Sequence, residues 1–186
     1  MGKNRCPRIG SDGYTLIELM VAVAIVGVLS AIAIPVFSGY LQKSRAQEAI
    51  QFLGTIKLRQ ESYRSEFGEY CNVNTANPGT FASPVSGSDT VLWGAPANWP
   101  QLGASPDGPV RFSFNTQAGI PGAALPTSDS WIEAAGEGWG TWGIVTTDFW
   151  YVAEAVGDLD DDGTQVMFGT AAGMKGIWCS QAKGWD

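Results

Sequence analysis

Apolar residues follow three different rules along this chain. From Leu19 to Ile34 sixteen positions pass without a charge, and only Gly27 and Ser30 among them are not strongly apolar. Val36 and Phe37 carry the run to about the 20 residues a helix needs to span a bilayer. Past Pro35 the pattern becomes one-sided. Ala46, Ala49, Ile50, Leu53, Ile56, Tyr63 and Phe67 recur every three or four positions, the stripe of an amphipathic helix. Lys43, Arg45, Gln47, Glu48, Gln51, Lys57, Arg59 and Gln60 fall on its other faces. Pro35 removes one backbone hydrogen bond and should bend or loosen this helix. Gly39 and Gly54 weaken it further, and Gly68, at ease with positive φ, is placed to end it.

From Cys71 to Trp142 the pattern dissolves into turn formers, as in "NPGTFASPVSGSD", "GAPANWPQLGASPDGP" and "AGIPGAALPTSDS". Trp93, Trp99, Trp131, Trp139 and Trp142 are interleaved with them, and large aromatics are scarce in disordered segments. These stretches therefore read as packed loops. Val110–Asn115 alternates as a strand does, Gly143–Val156 holds one or two more strands, and Thr164–Gly173 another. A long helix followed by a small antiparallel sheet is an α+β order of elements.

Charge adds a direction to this picture. The chain carries 11 Lys and Arg against 18 Asp and Glu, a net of −7, and has no His. Lys3, Arg5 and Arg8 precede Gly13 and are opposed there by Asp12 alone. Loss of that leader would remove +2, leaving the rest at −9. The basic side of the apolar run is thus N-terminal, which keeps the leader cytoplasmic and sends the remainder outward. An acidic body argues against nucleic-acid affinity, and the lack of His excludes His-based catalysis. Of three Cys, Cys6 lies in the leader, and Cys71 and Cys179 form an even pair. In an exported chain such a pair is expected to be a disulfide, worth roughly 4 kcal/mol for so long a loop. The alternative is two buried thiols that never meet.

Near the start of the wider apolar stretch from Gly13 to Pro35 stands a carboxylate, Glu18. A signal peptide cut near Ala31–Ala33, or a plain anchor, accounts for the run but not for the acid. A carboxylate there costs on the order of 2–3 kcal/mol, so it usually has a partner and a task.

"G-Y-T-L-I-E" after a short basic leader resembles the class III signal of type IV pilins and their pseudopilin relatives. The resemblance is strong over residues 10–70 and weak beyond. It implies cleavage after Gly13 by a prepilin peptidase, N-methylation of Tyr14, and retention of Glu18. The residue at Tyr14 is more often Phe in that family, a mild departure. Gly27 and Pro35 fall where many members carry helix-weakening residues. Glu18 of one subunit would neutralise the Tyr14 amine of a neighbour, so that each buried charge finds its partner only on assembly. The resemblance also implies a ladle-shaped fold, in which the helix packs on the sheet.

The remaining candidate chemistry is "GDLDDDGT". Asp158, Asp160 and Asp162 alternate before Gly163, the first half of a calcium loop, with Thr164 following. The position at which an EF-hand needs a bidentate Glu is Gly169, so this is no EF-hand. Some pilins and pseudopilins bind calcium near this end of the sheet. A solvated turn is the competing reading, although four carboxylates in five positions, Asp161 included, repel one another without a cation.

The sequence thus describes a leader (1–13), an apolar helical half (14–37), an amphipathic helical half (38–70) and a loop-rich β head (71–186). No nucleophile–base pair or phosphate loop is present. The expected function is a non-enzymatic structural subunit of a type IV pilus, with no required cofactor and Ca²⁺ as the one candidate ion. Its expected partners are further copies, minor pilins, the prepilin peptidase, the inner-membrane assembly machinery and the membrane itself. It would lie in the inner membrane before assembly and in a surface pilus or periplasmic pseudopilus afterwards. Competing readings are a type II secretion pseudopilin, a minor or tip pilin, and a membrane-tethered module whose Trp-rich loops bind glycans.

Overall fold

The computed structural model describes residues 13–77, 79–80, 83–84, 89–94, 97–127, 130–136, 138–159 and 161–180. One helix, α1 (Leu16–Phe67), runs without interruption through Pro35. Ser38 Oγ donates to the Pro35 carbonyl at 2.8 Å, in the turn that follows the proline. The helix ends where the sequence places its stop. Gly68 takes φ 80°, and its N–H donates to the Arg64 carbonyl at 2.8 Å.

The chain divides into two compact units, one ending at Tyr40 and the other beginning at Leu41. In the first, every large apolar side chain of α1 from Leu16 to Phe37 is more than half exposed. This stretch is long and apolar enough to cross a membrane.

The second unit holds the rest of α1 and a four-stranded antiparallel sheet in the order β3–β4–β5–β6. Its strands are β3 (Ser113–Gly119), β4 (Trp150–Asp158), β5 (Gln165–Ala171) and β6 (Trp178–Cys179). A short pair, β1 (Gly79–Thr80) and β2 (Ser83–Pro84), precedes them. Two single-turn helices, α2 (Trp99–Leu102) and α3 (Trp131–Ala134), and a 3₁₀ turn at Trp139–Trp142 lie in the connections.

Both faces of the sheet are covered, and strand parity sorts the side chains between them. Phe112, Phe114, Tyr151, Ala153, Ala155, Val166 and Phe168 share a cluster with Ala46, Ala49, Phe52, Leu53 and Ile56 of α1. Trp150, Val152 and Ala171 join Ile132 and Trp139 from the loops in a second cluster. All nine residues of β4 are therefore buried, as expected of a strand packed on two sides.

The strands differ from their expected limits for physical reasons. Val110 forms only an isolated bridge with Val91, and β3 starts at Ser113, because the Arg111 N–H is taken by Glu48 Oε1 of α1 at 2.7 Å. Residues 143–149 are not strand. Gly143 sits at φ 66°, and Asp148 Oδ1 accepts from the Phe149 N–H at 2.7 Å, a local bond that keeps the backbone turned. On α1, Phe67 is exposed, while Gln60, expected on a polar face, is fully buried.

Candidate functional site

Gly13 and Tyr14 lie just ahead of α1, exposed, with nothing within 4 Å of the Gly13 Cβ position. Gly27 is likewise surrounded by open space, so no packing contact within one subunit requires a glycine there.

Glu18 has a local role that the sequence signalled through "T-L-I-E". Thr15 Oγ1 accepts from the Glu18 N–H at 3.3 Å. Glu18 Oε2 in turn accepts from the Thr15 N–H and hydroxyl, both at 3.4 Å. This is a capping box, which satisfies otherwise orphaned helix N–H groups. Its bonds are at the long limit, and such a cap contributes about 1 kcal/mol. That is less than the 2–3 kcal/mol a carboxylate costs within hydrocarbon, so the cap alone does not account for keeping an acid. Glu18 is the one charged residue between Tyr14 and Lys43.

The expected Cys71–Cys179 disulfide is not formed: Cys71 is a buried free thiol. The two residues do reach the same apolar cluster, Cys71 within it and Cys179 against it. What fixes Cys71 is Gln60. Its Nε2 donates to the Cys71 carbonyl at 2.8 Å, and its Oε1 accepts the Cys71 N–H at 2.9 Å. A third bond, 3.0 Å to Thr116 Oγ1, ties the same amide to β3. The side chain that periodicity assigned to solvent thus ties Cys71 to the end of α1 and to β3. Burial pushes the Cys71 thiol up, away from the thiolate that exchange requires.

The acidic loop closes on itself. Asp158, buried at the end of β4, accepts from the Asp161 and Gly163 N–H groups at 2.9 Å each. Asp162 accepts from the Thr164 N–H at 2.6 Å. Asp160 lies outside the described residues. Among the described residues no group of three or more His, Cys, Asp or Glu is close enough to hold a metal. Asp158 and Asp162 act here as turn formers.

A second buried acid, Glu154, went unnoticed in the sequence. It sits at the centre of β4, opposite Asn115 of β3, on the face shared with the tryptophan layer. Asn115 Nδ2 donates to it at 3.0 Å, Ser130 Oγ at 2.9 Å and the Ile132 N–H at 3.1 Å. Trp139 Nε1 donates to Ser130 Oγ at 3.0 Å, which extends the network. Burial pushes the Glu154 carboxyl up to about 7 against the pull of these donors. The only sequence signal was a lone acid amid "WYVAEAV".

Residues 10–34 match the family model described as the prokaryotic N-terminal methylation motif. The chain is 41% identical over 64 residues to the fimbrial protein EcpC of Eikenella corrodens, covering 34% of this chain and 42% of that one. It is 47% identical over 47 residues to the type IV major fimbrial protein FimA of Dichelobacter nodosus, covering 25% and 29%. A fimbrial protein of Neisseria meningitidis serogroup B is 36% identical over 75 residues, covering 40% and 44%. The matched stretches span less than half the length of these relatives.

Proposed function

Because the chain carries the N-terminal signature of the type IV pilin family, we propose that it is a structural subunit that polymerises through α1 into a type IV pilus. A prepilin peptidase removes residues 1–13, and Tyr14 becomes the methylated N-terminus. The apolar half of α1 holds the subunit in the inner membrane, N-terminus inward, until the assembly machinery extracts it. Glu18 of each subunit then pairs with the Tyr14 amine of a neighbour. The observation that carries this reading is the single carboxylate in an otherwise uncharged and exposed apolar stretch. Such a surface needs covering by lipid or by like helices, and removing one partner of a buried charge pair costs about 3–5 kcal/mol.

Two substitutions separate the charge from the cap. Glu18→Gln keeps the capping box, which accepts Gln at this position, but removes the charge. Sheared filaments are expected to fall at least tenfold for Glu18→Gln and Glu18→Ala alike, with both variants still processed and membrane-inserted. Normal yield from Glu18→Gln would show that Glu18 serves as a cap alone. Mass and N-terminal sequence of the sheared material should give a chain that begins at methylated Tyr14.

Calcium binding by Asp158, Asp160, Asp162 and Thr164 is a separate proposal, supported by the crowding of carboxylates in the sequence. Millimolar Ca²⁺ is expected to raise the thermal midpoint of the head and chelator to lower it. An unchanged midpoint would leave only the turn role.

A further inference from the structure

A cleft of about 490 Å³ opens beside the C-terminal end of α1, lined by Arg64, Tyr70, Trp142, Asp148, Phe149 and Met174. Three features make it more than a surface dent. The first is an ion pair on its wall, with Arg64 Nη2 2.9 Å from Asp148 Oδ2. Arg64 Nη1 also donates to the Tyr70 hydroxyl at 2.8 Å, and that hydroxyl donates to Glu61 Oε1 at 3.2 Å. A guanidinium has five N–H donors, and these two bonds leave three. Asp148 is 59% exposed, so its carboxylate retains capacity to accept from a ligand.

The second feature is aromatic. Trp142 is half-buried and held by two other indoles, Trp139 at 4.7 Å and 79° and Trp178 at 5.2 Å and 48°. Its rim also fills the space above Gly169. The ring is therefore fixed before any ligand arrives, which lowers the ordering cost of binding. The third feature is access. Gly143 and Gly173, at φ 66° and 80°, also line the cleft, and nothing lies within 4 Å of either Cβ position. A ligand can approach their backbone directly.

The charges on the lining cancel, because among the described residues Arg64 and Asp148 are its only ionisable groups apart from Tyr70. An anion or a cation gains little from such a wall. A neutral pyranose gains from every part of it. Its C–H face suits an aromatic surface, and two vicinal hydroxyls can accept from the guanidinium and donate to the carboxylate together. The volume accommodates one or two rings. We propose that the cleft between α1 and the loop preceding β4 is a binding site for neutral saccharides, built by Trp142, Arg64 and Asp148.

The test uses the full chain in a non-glycosidic detergent, since a maltoside would occupy the site. Lactose, N,N′-diacetylchitobiose and methyl α-mannoside are titrated while tryptophan fluorescence is followed, and saturation-transfer NMR reports which protons touch the protein. At least one sugar should give a saturable response in the millimolar range, and Asp148→Ala should weaken it about tenfold, the loss of one hydrogen bond to a charged group. Asp148→Ala also loses the bond from the Phe149 N–H, so Asp148→Asn, whose amide oxygen keeps that acceptor while the ion pair is lost, is the second variant. Its near-UV circular dichroism should match the parent, since an exposed ion pair contributes little to folding, and its sugar binding should still be weakened. No saturable response to any of the three sugars would overturn the proposal. So would undiminished binding by Asp148→Ala.

Discussion

Replacing Gln60 with alanine is expected to lower the thermal midpoint of the head by about 10 °C. Gln60 is fully buried among apolar neighbours on α1, and its amide is the hydrogen-bond partner of both backbone groups of Cys71. Truncation leaves a buried N–H and a buried C=O unsatisfied, each costing roughly 1–3 kcal/mol, and adds a cavity. A total of about 4 kcal/mol corresponds to roughly 10 °C for a unit of this size, at about 2–4 °C per kcal/mol. Gln60→Glu should be similarly harmful despite its matching shape, because a carboxylate oxygen would then face the Cys71 carbonyl. Exposed Gln51 on the same helix is the control, and Gln51→Ala should change the midpoint very little. Thermal unfolding of the full chain followed by near-UV circular dichroism reads all three. A Gln60→Ala midpoint within about 2 °C of the parent would mean that the segment after α1 is held by something else.

Gln60 also shows where the sequence was legible and where it was not. The apolar run, the stripe at Ala46, Ala49, Leu53 and Ile56 and the stop at Gly68 all follow from periodicity and backbone chemistry, and all stand in the structure. Those signals are local. Gln60 was misplaced because periodicity equates polar with exposed, and only the return of Cys71 and Thr116 to the helix end gives a buried amide its partners. The start of β3 was misplaced because Glu48, more than sixty residues earlier, takes the Arg111 N–H. The disulfide expectation rested on a count of cysteines, which carries no distances; what holds the Cys71 backbone is the Gln60 amide. Glu154 was missed for a related reason. A strand with one solvated face would carry an acid outward, and nothing in "WYVAEAV" states that Ile132, Trp139 and Trp142 return to cover that face.

That cover makes the head's stability depend on pH, and Glu154 is the cause. Burial raises its folded carboxyl from the ordinary 4.5 to about 7, while in the unfolded chain it returns to the ordinary value. Between these limits the folded state holds a proton that the unfolded state has lost, so stability must fall as pH rises through the window. The contribution is fully present below about pH 4.5 and gone above about pH 7. Its size is of order 3 kcal/mol, since each tenfold difference in proton affinity is worth about 1.4 kcal/mol. Asp148, whose carboxyl is lowered by the Phe149 N–H and by Arg64, acts in the opposite sense but titrates at more acidic pH, outside that window. Denaturant midpoints at pH 4.5, 5.5, 6.5 and 7.5 should therefore decline steadily. Glu154→Gln should flatten the decline, because the Gln oxygen can still accept from Ser130 and the Ile132 N–H. Asn115, by turning its amide over, can accept from the new NH₂. The changes should appear first in the indole signals of Trp131 and Trp139, since Ser130 and Ile132 attach that loop to the carboxylate. A parent whose stability is level from pH 4.5 to 7.5 would mean that the hydrogen bonds to Glu154 outweigh its burial and keep it ionised throughout.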